Sequence, residues 1–332
     1  MAQKSDKKLI SVVIPTYKSE ANLSTLIERL SAVLSAGSYA YEVIIVNDCS
    51  PDNSLTVLNK ACDQDKRVKL IDLSRNFGQQ IATSAGLQYA RGDAVIIMDD
   101  DLQDPPEFIP KLLEKWEEGY EVVYAVRESR REGLLKRIGY KFYYIVLTKL
   151  SQVKIPKDSG DFGLIDRKLV DIINNMPERD RFVRGLRAWV GFKQIGVACP
   201  RSARLRGRPS YNIFKIIKLA NDGILAFSNF PLQISSALGF IVSGIAFLGM
   251  FLTLIQRIMT FILPENPLAV WPGFSTIVLS VLFLGGVQLI CIGILGEYVA
   301  RIYNEVKERP LFLVKATRNI ETAPHQAPRR AA

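Results

Sequence analysis

The chain has 332 residues, a formal net charge of +10 and 48% hydrophobic residues. This length fits one sizeable soluble domain plus a smaller part, and the apolar content, high for a soluble enzyme, predicts that some of the chain lies in a membrane. The four cysteines stand far apart without Cys-x-x-Cys spacing, which excludes a zinc site and a disulfide framework.

The single histidine, His325, lies in the tail TAPHQAPRRAA, whose composition predicts disorder. A histidine-based triad or a histidine-ligated metal is therefore not expected, and catalytic groups must be sought among carboxylates, amides and hydroxyls. The opening MAQKSDKK is charged and has no apolar core segment. We therefore expect no secretory signal and a cytosolic N-terminal region.

Strand-like and helix-like segments alternate in the N-terminal part of the chain. Short β-branched runs predict strands at Leu9–Pro15, Tyr41–Asp48, Val68–Ser74 and Asp93–Asp99, with helices at Ala21–Leu34, Ser54–Asp63 and Gln79–Ala90. The alternation predicts an α/β fold with a doubly wound, mostly parallel sheet. Such sheets bind ligands outside the carboxyl ends of their strands, so the segments that follow the strands are candidates for a site.

An acidic run, IMDDDLQDPPE at 97–107, follows the fourth predicted strand. Asp99 and Asp101 are two residues apart, so a sharp turn can direct both carboxylates at one hard divalent ion, Mg²⁺ or Mn²⁺, with a diphosphate as companion ligand. A solvated acidic turn that binds nothing is the alternative. The EF-hand spacing is missing, and the chain contains neither G-x-G-x-x-G after a strand nor G-x-x-x-x-G-K-S/T, so a classical NAD site or P-loop is not supported.

Two later segments combine basic and apolar residues. RESRREGLLKRIGYK, followed by FYYIVLTKL, predicts a helix at about 128–150 that lies in the plane of lipid headgroups, and residues 212–230 predict a second one. A helix packed on the sheet with a solvated basic face is the alternative for each.

Two long runs without charge follow, Leu232–Ile255 and Phe274–Gly296. At about 1.5 Å per residue each run exceeds a hydrocarbon core of about 30 Å, which predicts membrane spans at 231–256 and 274–297. Two buried helices of a soluble core are the alternative. Because the basic residues cluster beside these runs, we expect anionic lipid rather than nucleic acid as a partner.

The distribution of lysine and arginine predicts the orientation of the spans. Both outer flanks are rich in these residues, whereas the loop at 257–273 has few, so the loop is expected outside and both termini in the cytoplasm. The remaining predicted parts are a cytoplasmic domain at 1–211, a cytoplasmic extension at 298–315 and a disordered tail at 316–332.

Six motifs occur in the order IPTYKSEANL, VNDCSPDNS, RNFGQQIATSAGLQYARGD, MDDDLQDPPE, DSGDFGLIDR and RFVRGLRAWVGF. Together with the spans they resemble the family 2 inverting glycosyltransferases that use polyprenyl phosphate, such as bactoprenol glucosyl transferases, dolichyl-phosphate mannose synthases and undecaprenyl-phosphate aminoarabinose transferases. The resemblance extends from about Leu9 to Val314. It implies a GT-A type fold and metal-dependent, inverting transfer of a sugar to a polyprenyl phosphate such as undecaprenyl phosphate. UDP-glucose is the favoured donor, with GDP-mannose or an aminoarabinose-type donor as alternatives.

The resemblance assigns the segments after the strands to the nucleotide sugar. The residues it implies are Pro15, Tyr17, Glu20, Asp48, Gly78, Gln79, Asp99, Asp100 and Asp101. The metal and the diphosphate are held by Asp99, Asp101 and Gln103, and Asp100 shapes the loop or touches the ribose. Ordinary structural roles are the alternatives, such as a strand end at Pro15, packing at Tyr17 or a cap by Asp48 on the helix after CSPDN.

The resemblance implies that the later part of the soluble domain binds the sugar and the acceptor phosphate. Asp158 and Asp161, in the glycine-containing DSGDF, are catalytic candidates that hydrogen-bond sugar hydroxyls, a plain turn being the alternative. Basic groups fit phosphate oxygens, and the candidates for the acceptor phosphate are Arg127, Arg130, Arg131, Lys136, Arg206, Arg208 and Ser210. Pro209 departs from the family pattern because it stands where relatives have a serine, and it removes a backbone donor.

Two other functions stay open at this point. A processive polysaccharide synthase would carry a Gln-x-x-Arg-Trp motif and more spans, whereas this chain has RGLRAW and two. A non-catalytic membrane scaffold would bind no nucleotide, which the acidic cluster argues against. The resemblance also implies a homo-oligomer, with a tetramer suggested by relatives, and residues 309–314 are expected to add a strand to their own domain or to a neighbour's.

Overall fold

A computed structural model describes residues 7–127, 159–179, 181–200, 230–262 and 273–320. The chain forms two compact units. The sheet unit comprises residues 1–219 and 309–332, and the helix unit comprises residues 220–308. The predicted interface helices at 128–150 and 212–230 lie outside the described residues, apart from Phe230.

Among the described residues, the sheet unit contains one sheet of eight strands. The strands are β1 (Leu9–Thr16), β2 (Ala40–Asn47), β3 (Val68–Leu73), β4 (Ala94–Ile97), β5 (Val122–Arg127), β6 (Ser159–Asp166), β7 (Gln194–Cys199) and β8 (Val314–Arg318). Their order across the sheet is β7-β5-β6-β4-β1-β2-β3-β8. The central strands β3, β2, β1 and β4 are parallel, whereas β6 and β8 are antiparallel to their neighbours. The sheet is therefore mixed, with the predicted parallel order at its centre.

Helices cover both faces of this sheet. They are α1 (Glu20–Ser35), α2 (Ser54–Gln64), α3 (Gln79–Tyr89), α4 (Ile109–Glu117), α5 (Arg167–Asn175) and α6 (Val183–Trp189). Alternate residues of a strand point to opposite faces. Ile10, Val12 and Ile14 accordingly pack in one core cluster with α1, α2 and α4, while Val13 lies beneath Gly86 of α3. The predicted doubly wound arrangement is present.

The sheet opens between β1 and β4, where the strand order reverses. β4 ends at Ile97, opposite Val13, whereas β1 continues along β2 to Thr16. In the described sheet, β1 beyond Val13 is therefore paired on one side only, and this interruption of the ladder tolerates Pro15. A crevice at such a switch point is the usual ligand site of an α/β sheet.

β8 returns from the end of the helix unit and pairs antiparallel with β3. Phe312 is buried just before it, and the Leu313 carbonyl accepts a hydrogen bond from Ser74 N at 2.9 Å. The predicted strand at 309–314 therefore lies too early, although it does join its own domain. The predicted disordered tail at 316–332 is wrong up to residue 320, because β8 covers backbone groups of β3 that an edge strand would leave unpaired.

The helix unit consists, in its described part, of α7 (Phe230–Ile262) and α8 (Gly273–Val306). The two helices contact each other, and the Cys291 thiol donates to the Ser235 carbonyl at 3.7 Å. The segments Leu232–Gly249 and Phe283–Val306 are long and apolar enough to cross a membrane. Both helices continue beyond the predicted spans, into the predicted loop at 257–273 and the predicted extension at 298–315.

Close packing of α3 on β1 predicts the effect of a substitution at Gly86. An added Cβ would lie 2.2 Å from Val13 Cγ1 and 3.2 Å from Val46 Cγ2. We expect Gly86→Ala to lower the free energy of unfolding by about 1–3 kcal/mol through overpacking, despite the better helix propensity of alanine. The measurement is the denaturation midpoint in detergent solution. Gly37→Ala is the control, because its Cβ would meet only the Leu34 carbonyl at 3.4 Å; equal midpoints for both variants would contradict this packing.

Candidate active site

The loops after the four central strands meet at one edge of the sheet. Thr16 at the end of β1 lies opposite Asn47 of β2, and Asn47 lies opposite Asp72 of β3. β4 joins the other side of β1, where Met98 N donates to the Val13 carbonyl at 3.1 Å. Every strand-end segment singled out from the sequence therefore lies along the same rim.

The loops after β1 and β2 bind each other directly. Lys18 N donates to Ser50 Oγ at 3.2 Å, and Glu20 accepts hydrogen bonds from the backbone and the side chain of Asn53, both at 3.2 Å. The Tyr17 side chain, in the loop after β1, is exposed. Glu20 thus has a structural task at this rim, and its predicted contact with a nucleoside stays a prediction.

Asp48 is buried and holds the loop that follows β3. Its two carboxylate oxygens accept hydrogen bonds from Phe77 N at 2.7 Å and Gly78 N at 2.8 Å. The alternative considered from the sequence, that Asp48 caps α2, is therefore wrong. Asp48 binds backbone N–H groups of the loop before α3 instead. Gly78 has φ +94°, a conformation that glycine adopts without strain, and it lets α3 begin at Gln79.

The acidic loop after β4 turns back on itself. Leu102 has φ +58°, and Gln103 N donates to Asp101 Oδ1 at 3.1 Å. Burial raises the pKa of Asp100 to about 6, whereas the polar groups of Ser19, Tyr17 and Thr16 act in the opposite direction. Asp100 therefore faces the end of β1, which fits its predicted role in shaping the loop.

Asp99 lies at the centre of a group of acids. Gln79 Nε2 donates to its Oδ1 at 2.7 Å. Burial raises the pKa of Asp99 well above its ordinary value, and the next cause is the charge of Asp161, followed by those of Asp104, Asp101 and Asp100. Such an accumulation of negative charge favours a bound cation.

The donor set fits a hard divalent ion that completes its coordination with substrate oxygens. Among the described residues, no three histidine, cysteine, aspartate or glutamate side chains form a ready metal cluster. Mg²⁺ usually takes only one or two carboxylates from a protein, and the remaining positions go to water and phosphate. Asp99 and Asp101 are the two carboxylates in question, and Gln103 is buried beside them.

A second polar group, not recognised from the sequence, surrounds Asp161 on β6. Arg184 of α6 approaches Asp161 Oδ1 at 3.1 Å, and Gln80 Nε2 lies 3.5 Å from Asp161 Oδ2. Arg187 is buried nearby, where it donates to the Gly160 carbonyl at 3.2 Å. Burial lowers the pKa of Arg187 to about 10, although the Asp161 charge acts in the opposite direction. The motif RFVRGLRAWVGF contained both arginines, but sequence offered no indication of their partner.

Backbone strain marks the same rim. Lys18, Cys49 and Leu102 each have φ between +55° and +59°, a conformation that is uncommon for residues other than glycine. They follow Tyr17, Asp48 and Asp101, three predicted site residues. Strained conformations of this kind cluster at functional sites.

The predicted site residues divide into those the structure brings together and those beyond its described part. Pro15, Tyr17, Glu20, Asp48, Gly78, Gln79, Asp99, Asp100, Asp101 and Gln103 lie at the rim, with Asp161 beside Asp99. Outside the described residues lie Asp158, Arg130, Arg131, Lys136, Arg206, Arg208 and Ser210. Arg127 ends β5 opposite Cys199 of β7. β5 and β7 run in the same direction as β4, because β4 and β5 are both antiparallel to β6 and β7 is parallel to β5. The ends of β5 and β7 therefore lie at the same edge of the sheet as the end of β4.

Comparison with known proteins establishes the family. Residues 11–173 match Glycosyl transferase family 2. The SfII prophage-derived bactoprenol glucosyl transferase of Shigella flexneri is 39% identical over 92% of this chain and 97% of its own length. The chain belongs to glycosyl transferase family 2. The glycosyltransferase YkcC of Bacillus subtilis is 44% identical to this chain over 94% of each chain.

Membership of glycosyl transferase family 2 confirms the predicted enzyme class. Among solved structures, glucosyl-3-phosphoglycerate synthase from Mycobacterium tuberculosis in complex with phosphoglyceric acid is similar over 66% of this chain and 78% of that chain, with a TM-score of 0.44 and 19% identity. The mixed sheet with flanking helices confirms the predicted GT-A type fold. The residue assignments within this glycosyltransferase, and its oligomeric state, stay predictions.

The contacts of Asp48 predict its contribution to stability. Asn offers one acceptor oxygen where Asp offers two, so in Asp48→Asn either Phe77 N or Gly78 N loses its partner. We expect the free energy of unfolding to fall by about 1–3 kcal/mol, measured from the denaturation midpoint. The control is Asp65→Asn, which also removes a charged acceptor from a backbone N–H, that of Arg67, but at a less buried position where the carboxylate pairs with the Arg67 guanidinium as well. A midpoint for Asp48→Asn no lower than that of the control would contradict the assignment.

Proposed function

We propose that this glycosyltransferase moves a glucosyl group from UDP-glucose to the phosphate of a polyprenyl phosphate such as undecaprenyl phosphate. The observation that carries the proposal is the crowding of carboxylates around Asp99 at the switch point between β1 and β4, where a diphosphate and a divalent ion would balance their charge. The relatives named bactoprenol glucosyl transferase support the sugar and the lipid, since their likeness extends over 92% of this chain.

In the proposed reaction the nucleophile needs no base on the protein. A phosphate monoester has a second pKa of about 6 and is largely dianionic at neutral pH. One of its oxygens forms a bond to the anomeric carbon of the sugar. The bond from that carbon to the diphosphate oxygen breaks, and its electron pair leaves with the diphosphate. Attack opposite the leaving group inverts the anomeric centre.

Asp99 and Asp101, with Gln103, are the proposed metal ligands. Mg²⁺ or Mn²⁺ bound there would stabilise the negative charge of the leaving diphosphate. The Gln79 side chain donates a hydrogen bond to Asp99, and the backbone N–H of Gln103 donates one to Asp101. Both carboxylates are therefore oriented before substrate binds. Preorganised groups of this kind act without a reorganisation cost at the moment of reaction.

The acceptor is proposed to bind to basic residues of the segments that follow β5 and β7. The segments after Arg127 and Cys199 begin at the rim and contain the basic acceptor candidates. α7 and α8 would then span the bilayer with the loop between them outside, and the sheet unit and both termini would be cytoplasmic by the positive-inside rule. Charged lipid phosphate and nucleotide sugar would meet on one membrane face.

Transfer to lipid tests the reaction directly. The detergent-purified protein is incubated with undecaprenyl phosphate, Mg²⁺ and, in parallel, radiolabelled UDP-glucose, GDP-mannose and an aminoarabinose-type donor. We expect label from UDP-glucose to enter the lipid phase, and Asp101→Asn to reduce the rate by about 100-fold or more because an electrostatic stabiliser is lost. Glu107→Gln is the matched control, since Glu107 belongs to the same acidic run but pairs with Arg29 on the surface.

Each alternative has a distinct outcome in this experiment. Label entering the lipid from one of the other donors would retain the reaction class and replace glucose. Failure of all donors in the presence of metal would reject the proposed reaction. Loss of activity in Glu107→Gln equal to that in Asp101→Asn would show that the acidic run acts through general charge rather than through a metal at Asp101.

Metal binding can be measured apart from turnover. We expect UDP together with Mg²⁺ or Mn²⁺ to raise the unfolding temperature of the wild-type protein more than UDP alone, because a ligand that binds only the folded state stabilises it. Asp99→Asn should lose this increment while Glu107→Gln retains it. An increment of the same size in Asp99→Asn would remove Asp99 from the metal site.

A further inference from the structure

The first turn of α3 joins the two acidic parts of the rim. Gln79 binds Asp99 at 2.7 Å, and the next residue, Gln80, directs its amide nitrogen at Asp161 Oδ2, 3.5 Å away. Consecutive residues of a helix point about 100° apart. One helical turn therefore reaches both the loop after β4 and strand β6.

The other end of the same amide binds α6. Gln80 Oε1 accepts a hydrogen bond from Val183 N at 2.9 Å, across a separation of 103 residues. Val183 is the first residue of α6, and the N–H groups of a first helical turn have no partner within the helix. The Gln80 side chain therefore caps α6.

This cap determines where the neighbouring arginine lies. Arg184 follows Val183 directly, and its guanidinium group lies 3.1 Å from Asp161 Oδ1. The Gln80 side chain thus contacts one oxygen of the Asp161 carboxylate directly. It also binds the backbone of Val183, the residue before Arg184, and Arg184 binds the other oxygen of that carboxylate. Asp161 is only partly exposed between them, with 16% of its side chain accessible.

We propose that Gln80 is a positioning residue of the transfer reaction, whose amide nitrogen orients the Asp161 carboxylate and whose amide oxygen places α6 and Arg184 against that carboxylate. The inference rests on the proposed function and on the role that the family resemblance implies for Asp161, a hydrogen bond to hydroxyls of the transferred sugar. A neutral amide suits this position because it supplies one donor and one acceptor without adding charge beside Asp99 and Asp161.

Two substitutions separate the two ends of the amide. Gln80→Glu keeps an acceptor for Val183 N but replaces the donor facing Asp161 with a like charge, whereas Gln80→Leu removes both. Ser84→Ala is the matched control on α3, because the Ser84 hydroxyl is buried and donates to the backbone carbonyl of Gln80. All are made in the full chain and assayed for kcat, for KM of the nucleotide sugar and for unfolding temperature.

We expect Gln80→Glu to lower kcat by about 100-fold while KM changes by less than about threefold, since a misplaced reacting group costs rate rather than substrate binding. Its unfolding temperature should fall less than that of Gln80→Leu, because the cap on α6 persists although the new charge repels Asp161. Gln80→Leu should lose both kcat and thermal stability, and Ser84→Ala should retain kcat. Wild-type kcat in Gln80→Glu, or an unfolding temperature of Gln80→Glu no higher than that of Gln80→Leu, would overturn the proposal.

A double-mutant cycle keeps this inference distinct from the proposed function. If the wild-type protein transfers no sugar, the reaction fails, but the contact between Gln80 and Asp161 is still measurable from the unfolding temperatures of Gln80→Leu, Asp161→Asn and the double variant. Effects that fall short of additivity are expected, because touching residues share one interaction. Additive effects would overturn the assignment whether or not the protein is active.

Discussion

Electrostatic repulsion around Asp99 is the constraint on which the site depends. Burial raises the pKa of Asp99, and four neighbouring acidic side chains raise it further, those of Asp161, Asp104, Asp101 and Asp100. Neutral donors hold two of these groups, the Gln79 side-chain amide on Asp99 and a backbone N–H on Asp101, whereas the charged Arg184 pairs with Asp161. A site that accumulates charge in this way is arranged for a cationic ligand, and the hard divalent ions used with nucleotide diphosphates have the matching chemistry.

The position of that charge follows from the strand order. β1 continues past the end of β4, so the end of β1 is paired with β2 alone in the described sheet. The loops after β1 and β4 enter the gap from its two sides, and Asp100 lies near enough to the end of β1 for Thr16 and Tyr17 to influence its pKa. The start of α3 closes the third side, because Asp48 fixes the loop before it. Left-handed backbone at Lys18, Cys49 and Leu102 is retained where these loops converge.

The C-terminal segment shows how much of the sheet unit comes from distant parts of the chain. β8 covers the β3 edge, and Leu313 binds Ser74, which precedes the loop that Asp48 holds. Asn319 secures the end of this segment, since its side chain donates to the carbonyls of Cys62 and Val68 at 2.7 and 2.8 Å. Sequence pattern gave no signal here because VKATR is only five residues long and four of its residues are exposed. An edge strand of this kind is recognised by the backbone it pairs with rather than by its side chains.

Local pattern was sufficient for the central sheet and for the strand-end residues. β-branched runs, helical periodicity and the acidic cluster are properties of neighbouring residues, so the parallel order and the convergence at Asp99 could be expected from the amino-acid sequence. The GT-A type fold was implied by the resemblance of the motifs to family 2 glycosyltransferases. The partners of Asp48, Gln80 and Arg184 could not, because each contact joins segments far apart in sequence. Sequence by itself determined which chemical groups stand at the strand ends. Tertiary structure decided which of them bind one another, since hydrogen bonds and charge interactions depend on distances that only the packed chain defines.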